Sequence, residues 1–252
     1  FLVYTGKAKN MFTTNDYAQL ESLMDESPEN RALIEKLLNA HQFTVSKISH
    51  EVRNPLTLVS STLQLIESQH PEVADFAHWS QLLEDVAFMT QLLNELSHFN
   101  NGQKIAKDPF DFRLFMEHIA LSFATTFTDS PIEFISKVDP ALPFFTGDKT
   151  KLKEVFLNLL QNAKDAIPAQ GTIFLNAHLE NHGIEISIQD TGCGISSEHL
   201  TSIFTPFVTH KPSGTGLGLP LAQKIIVSHH GQLEISSTPE VGTTITIFLP
   251  IQ

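Results

Sequence analysis

The sequence predicts a multidomain chain: an α-helical hairpin that would form a dimeric four-helix bundle, followed by an α/β sandwich of one mixed sheet covered by helices. Three observations predict it. A narrow apolar seam keeps helical period from about residue 28 to residue 68. A turn containing Pro71 leads into a second helical pattern. Beyond the polar stretch NNGQKIAKDP (100–109), short β-prone runs alternate with helical ones.

Residues 1–27 carry little pattern and are expected to be a linker or the remnant of an upstream domain. The chain opens on Phe1 rather than methionine, which points to a piece of a longer protein and leaves room for a membrane segment elsewhere. Ser27-Pro28-Glu29 reads as a helix start: a serine cap, proline in the first turn, then an acid. At about 100° per residue from Ile48, the residues Ile34, Leu38, His41, Val45, Ile48, Val52, Leu56, Val59, Leu63 and Ile66 share an arc of about 80°. So thin and long a seam belongs to a bundle helix. A second helix follows the turn at 69–75 and runs to about Phe99, with apolar residues at 76, 79, 83, 86, 89, 93 and 96. Two helices enclose little core, so a homodimer through the hairpin is the natural completion.

The expected domains are therefore 28–100 for the hairpin, 101–108 for a linker and 109–252 for the α/β part. In the latter, PFDF is strand-like and 112–127 helical. PIEFISKV is a strand and 149–167 a helix. GTIFLNAHL and GIEISIQD pair across ENH, 217–230 is helical, and QLEISST and TTITIFLP form a hairpin around PEVG.

Composition narrows function. Apolar residues make up 41% and charged residues 17%, an ordinary globular balance. A net charge of -12 argues against nucleic acid as a partner, since phosphate-backbone binding needs a basic patch. A lone cysteine, Cys193, excludes an internal disulfide framework and points to a reducing, cytoplasmic setting.

Four stretches carry chemistry. LNLLQNAKDAI (157–167) puts Asn158 and Asn162 four apart on one helix face, with Asp165 nearby. Two amides there can hold a hydrated cation and phosphate oxygens, although such a pattern alone is more often the polar stripe of a surface helix. DTGCGI (190–195) ends a strand. Its aspartate can accept a hydrogen bond from a base amino group while the chain turns close past the ring; alone, it is also simply a glycine turn. FTPFVTHKPSGTGLGLPLAQKII (204–226) is the most specific. Gly214, Gly216 and Gly218 precede a helix and so offer free amides and a positive dipole end to phosphates. No G-K-[ST] follows, and the run G-T-G-L-G-L differs from a dinucleotide fingerprint. Thr209, His210, Lys211, Pro212 and Ser213 form a candidate lid over a triphosphate. The fourth stretch, SHEVRNPL (49–56), lies in the first helix. There His50 falls about 160° from the middle of the apolar seam and is expected to be exposed, with Asn54 and Thr57 on the same outer face. Phe43 also falls near that face. Pro55 removes a backbone donor and permits a kink.

In order, LNLLQNA, DTGCGI, FTPF, GTGLGL and VGTTITIFLP resemble the N, G1, F, G2 and G3 boxes of the sensor histidine kinases of two-component systems, whose ATP-binding domain has the Bergerat fold. SHEVRNP resembles their H box, and the resemblance covers residues 30–251. The lid THKPSGTGLGL and the short distance from the N box to G1 are most similar to the nitrogen-regulatory and sporulation-type kinases.

This resemblance implies an ATP-dependent autokinase that phosphorylates His50 and relays the phosphoryl group to an aspartate on a response regulator receiver domain. It implies ATP and Mg2+, with Asn162 the metal ligand, Asn158 supporting it and Asp165 in the same ATP-binding set. It implies Asp190 on the adenine amino group, Thr244 assisting through water, and Gly192 and Gly194 letting the chain pass the base. Thr209 and Lys211 would reach the terminal phosphates. Gly214, Thr215, Gly216, Leu217 and Gly218 would line them, and Phe204 and Phe207 would anchor the lid. Glu51 can accept the Nδ1 proton of His50, leaving Nε2 to attack. Asn54 would orient water for dephosphorylating the regulator. Two departures stand out: Asp165 occupies a position that is basic in many members, with Lys164 just before it, and Thr191 replaces the usual asparagine. The competing readings are a Bergerat-fold ATPase that drives conformational work, and a nucleotide-binding scaffold that has lost catalysis. The former usually carries a glutamate base where this chain has Asn158; the latter sits poorly with intact His50, Glu51 and Asn162.

Overall fold

The computed structural model describes residues 22–24, 26–101, 105–127, 130–211 and 214–251. The expectation for residues 1–27 therefore lies almost wholly outside the described residues, as do Pro212 and Ser213 of the lid and the side chains of Leu38 and His41. The chain divides into two compact units, 1–51 and 52–252.

Helix α1 (Pro28–Gln69) begins in the first unit as the Ser-Pro-Glu start predicts. Ser27 caps it: its Oγ accepts from the Asn30 amide at 3.0 Å and its carbonyl from the Arg31 amide at 3.1 Å. Ser49 is buried and its hydroxyl donates back to the Val45 carbonyl at 2.8 Å. The helix continues through Pro55 to Gln69. Proline has no N–H to give the carbonyl of Glu51, and the division between the units falls directly after Glu51.

In the second unit, α1 is followed by a 3-10 turn (Pro71–Asp75) and by α2 (Trp79–Asn101). Phe76, counted in the second helix from its spacing, instead lies ahead of it and is 60% exposed, because the 3-10 turn and a positive φ of 70° at His78 delay the helix start to Trp79. Leu63, Val73 and Val86 are buried, and Arg53 Nη2 donates to the Leu93 carbonyl at 3.3 Å across the two helices. The seam residues Val52 and Val59 remain 46% and 45% exposed, so the chain's own second helix does not cover them.

The α/β part builds a five-stranded sheet in the order β2-β4-β5-β7-β6, from β2 (Ile132–Val138), β4 (Gly171–Glu180), β5 (Gly183–Asp190), β6 (Gln232–Thr238) and β7 (Gly242–Pro250). β2 runs parallel to β4 and the other pairs are antiparallel. Alternation sets the faces: Ile173 and Leu175, Ile184, Ile186 and Ile188, and Ile245, Ile247 and Leu249 all point to one buried side. Helices α3 (Phe112–Ala124), α4 (Lys149–Asp165) and α6 (Gly218–Ser228) pack there through Phe112, Met116, Leu152, Phe156, Leu160 and Ile226. A single turn, α5 (Ser197–Leu200), precedes the lid. A small ribbon of β1 (Asp108–Asp111) and β3 (Phe144–Gly147) closes one end. β3 has no counterpart in the sequence reading: four residues after a proline are too few to show a period. Among the described residues no helix is long and apolar enough to cross a membrane.

Asp148 knits this end together. Its Oδ1 accepts from the Lys151 amide and caps α4, while its Oδ2 accepts from the Ala106 amide, both at 3.0 Å. Its own amide donates to His229 Nε2 at 2.9 Å, and His229 Nδ1–H donates to the Ile225 carbonyl at 2.8 Å. Both ring nitrogens are thus committed to the neutral tautomer, and burial pushes the imidazole below the ordinary value of 6.5. As pH falls the unfolded chain takes up this proton first, so the stabilisation is full above about pH 6.5 and is lost below it. The urea midpoint should fall on acidification through that range. His229→Asn should flatten that part of the profile while lowering stability at pH 7.5; an equally steep profile in the variant would contradict the assignment.

Candidate functional site

The inward face of α4 is apolar, with Leu152, Val155, Phe156, Leu159 and Leu160 buried, so Asn158 and Asn162 are left half-buried on a flank of the helix. Asn162 Nδ2 donates to Asn158 Oδ1 at 3.3 Å. The N-terminus of α6 comes up to this pair. A Cβ on Gly218 would stand 2.7 Å from Asn158 Nδ2, so any larger residue there would displace the Asn158 amide. Leu217, the N-cap of α6, offers no side-chain cap, so among the described residues the Gly218 and Leu219 amides and the positive dipole end stand uncapped beside the two asparagines. Leu217 is fully buried and fixes the turn, and Gly216 has φ 71° with the Phe207 and Val208 backbone 2.7 Å from where its Cβ would be.

Lys211 reaches back from the lid, and its Nζ donates to Asn162 Oδ1 and to Asp165 Oδ2, each at 3.0 Å. Lys164 points elsewhere: its Nζ donates to the Thr126 carbonyl at 3.0 Å and lies 4.8 Å from the Phe127 ring centre. The cation near Asp165 thus comes from the lid and not from α4. Thr209 Oγ1 accepts from the Lys211 amide at 3.1 Å, which turns the lid on itself. Gly214 donates its amide to the Lys211 carbonyl at 3.1 Å.

Asp190 ends β5 and is 6% exposed. The amides of Gly192 and Thr243 both donate to its Oδ1, at 2.8 and 3.3 Å. Burial pushes the carboxyl above the ordinary aspartate value of 3.8, against those amides and the Lys211 charge, which lower it. Gly192 packs against the Ala166 carbonyl and Gly194 has φ 65°, so the chain after Asp190 folds flat over the end of α4.

Three expectations need correction. Thr244 pairs with Gln189 and shares its face of the sheet, away from Asp190; Thr243, paired with Asp190, is the threonine beside the carboxyl. The alternation of Ile245, Ile247 and Leu249 already carries this, since it places odd-numbered residues of β7 inward. Phe207 is no anchor by burial: its ring is 55% exposed and its φ is 66°, while its amide donates to the Gly216 carbonyl at 3.1 Å. Thr215 does not turn toward the α6 amides alone. It is buried, accepts from the Leu217 amide at 3.3 Å, and donates its hydroxyl to Glu95 of α2. Lys224 of α6 adds a second tie to α2, donating to the Phe99 carbonyl at 2.9 Å.

In the first unit His50 is exposed. The carboxylate of Glu51 lies 3.8 Å from Lys47 Nζ on the same helix. Phe43 is 70% exposed. Asn54 and Thr57, in the second unit, are exposed as the helix angles predict.

Residues 147–252 match the family of histidine kinase-, DNA gyrase B- and HSP90-like ATPases. Over 227 residues the chain is 33% identical to the signal transduction histidine-protein kinase AtoS of Escherichia coli (strain K12), a match covering 90% of this chain and 37% of that protein. It is 28% identical to sporulation kinase B of Bacillus subtilis (strain 168), covering 98% and 60%, and 30% identical to the sensory histidine kinase/phosphatase NtrB of Azospirillum brasilense, covering 82% and 54%. The chain thus spans about a third to three-fifths of the length of these curated relatives. Among solved structures, the nucleotide-free catalytic domain of histidine kinase ThkA is 27% identical with a TM-score of 0.53, covering 57% of this chain and 95% of that one. Full-length ShkA in complex with AMPPNP shares the fold at 23% identity and a TM-score of 0.70, covering 82% and 45%.

The raised pKa of Asp190 has a sign. The folded protein favours the neutral acid, so its contribution is full below pH 3.8 and is lost as pH rises through the higher folded value. Asp190→Asn keeps an acceptor for both amides and removes the buried charge. Its urea midpoint should equal or exceed the parent's at pH 7, with the gap narrowing on acidification; a variant less stable at pH 7 would refute this reading of the site.

Proposed function

We propose that this chain, a sensor histidine kinase homologue whose residues 147–252 form a histidine kinase-, DNA gyrase B- and HSP90-like ATPase domain, is an ATP-dependent autokinase that phosphorylates His50 and passes the phosphoryl group to a response regulator aspartate. The observation that carries the reading is the convergence of Asn158 and Asn162 on the start of α6, with Lys211 on Asn162 and a buried acceptor, Asp190, beside the same C-terminal end of α4.

In this reading the adenine amino group donates to Asp190, and Thr243 helps hold the ring. The amides of Gly216 and Gly218, before and at the start of α6, bind phosphate oxygens, favoured by the helix dipole, and the Leu217 amide joins them when it leaves Thr215 Oγ1. The donor set suits Mg2+. The Asn162 amide oxygen already faces a cationic nitrogen at 3.0 Å, and among the described residues no three His, Cys, Asp or Glu side chains converge into a metal site of their own. This fits an ion that keeps waters and phosphates as its other ligands. Bound with ATP, Mg2+ supplies charge neutralisation during phosphoryl transfer. Lys211 adds a positive charge at the terminal phosphate. Glu51 accepts the His50 Nδ1 proton, and the Nε2 lone pair attacks the γ-phosphorus as the bond to ADP breaks. Asn54 orients water for regulator dephosphorylation. The exposed seam residues Ile48, Val52 and Val59 support a homodimer through the hairpin.

Incubation with γ-labelled ATP and Mg2+ should give acid-labile, base-stable label on the chain. His50→Gln should abolish it, and Asn162→Ala should lower it by at least about tenfold through lost metal-nucleotide binding. Undiminished labelling of His50→Gln would defeat the autokinase reading.

A further inference from the structure

Asp165 is the residue that the site so far leaves unused. It closes α4, where the carbonyl end of the helix dipole adds negative potential. Its Oδ1 accepts from Gln161 Nε2 at 2.6 Å, which aims Oδ2 outward. That Oδ2 and Asn162 Oδ1 both lie 3.0 Å from one atom, the Lys211 ammonium nitrogen. A carboxylate oxygen and an amide oxygen on one compact positive charge, near the negative end of a helix dipole, make the surroundings of a hard cation. They are also hostile to phosphate: an anion entering beside Asn162 meets the Asp165 carboxylate unless a cation stands between them. Lys164 cannot serve, since Thr126 and Phe127 hold it.

We propose that Asn162 and Asp165 form one cation position, filled by the Lys211 ammonium in the nucleotide-free protein and by the divalent cation of a metal nucleotide in the loaded one, with Asp165 binding that cation directly or through water. Nucleotide entry is then an ion exchange. With a divalent cation held by Asn162 and Asp165, Lys211 would lose its carboxylate partner and its ammonium would be free to meet phosphate oxygens. The lid reports the cation by losing its own counter-ion. This deepens the assignment of the metal to Asn162 and rests on the nucleotide reading above.

The test is calorimetric binding of ADP to the full chain, titrated with Mg2+ and repeated in EDTA. Asp165→Asn should raise the Mg2+ concentration for half-maximal ADP binding by at least about tenfold, with metal-free ADP binding unchanged or tighter. Asp165→Glu should recover most of the loss. Lys211→Met, which vacates the position, should shift the Mg2+ requirement the other way. An unchanged Mg2+ requirement in Asp165→Asn would reduce Asp165 to a counter-ion of Lys211 and overturn the proposal. A parent chain that binds no ADP with or without Mg2+ would overturn the nucleotide reading and this inference with it.

Discussion

Everything about the α/β site depends on keeping Asp190 buried and still able to accept a hydrogen bond. A carboxyl 6% exposed at a strand end is costly unless backbone donors meet it, and here two amides converge on one oxygen. One comes from the loop that follows, which reaches it because Gly192 fits against the Ala166 carbonyl. The other comes from the neighbouring strand, whose register sets Thr243 opposite Asp190. The loop and the strand pairing are thus both constrained by one side chain. The same loop satisfies the end of α4, since the Cys193 amide donates to the Ala166 carbonyl at 2.9 Å. Asp190 and the Asn162–Asp165–Lys211 group are therefore built around one helix terminus.

How much of this was legible depends on the range of the interaction. The long first helix follows from a seam repeated over many turns, and the β6–β7 hairpin from a short turn between two alternating runs. Both are local signals, and both elements stand where they were expected. The order of the glycine-rich and asparagine boxes carried the site's parts. What stayed hidden was non-local. β3 exists because it pairs with β1, a partner far along the chain. The contact of Thr215 with Glu95 joins residues 120 apart, and no spacing announces it. The ion pair of Lys211 with Asp165 was half visible: an acid at a position that is basic in many relatives calls for a cation from elsewhere, and the lid holds one. The facing of Thr243 toward Asp190, rather than of Thr244, follows from period-two alternation once Ile245 is taken as core.

The helical hairpin shows the opposite economy. Its inner contacts are few, and much of its apolar seam faces outward in a single chain. Such a surface is a demand for more protein, which in a bundle comes from a second copy. His50 and Asn54 are exposed as well, at positions that helical spacing sets away from that seam.

Asp148 was described as a cap. Seen mechanically, it is a knot. One carboxylate starts the helix that carries Asn158 and Asn162, holds the amide of Ala106 in the segment arriving from α2, and shares its backbone with buried His229. Tension along that segment therefore has its first fixed point not on the sheet but at the root of α4. A pull strong enough to free Ala106 would take one partner from the carboxylate that caps the helix bearing the asparagines, at the junction where β1 and β3 also meet.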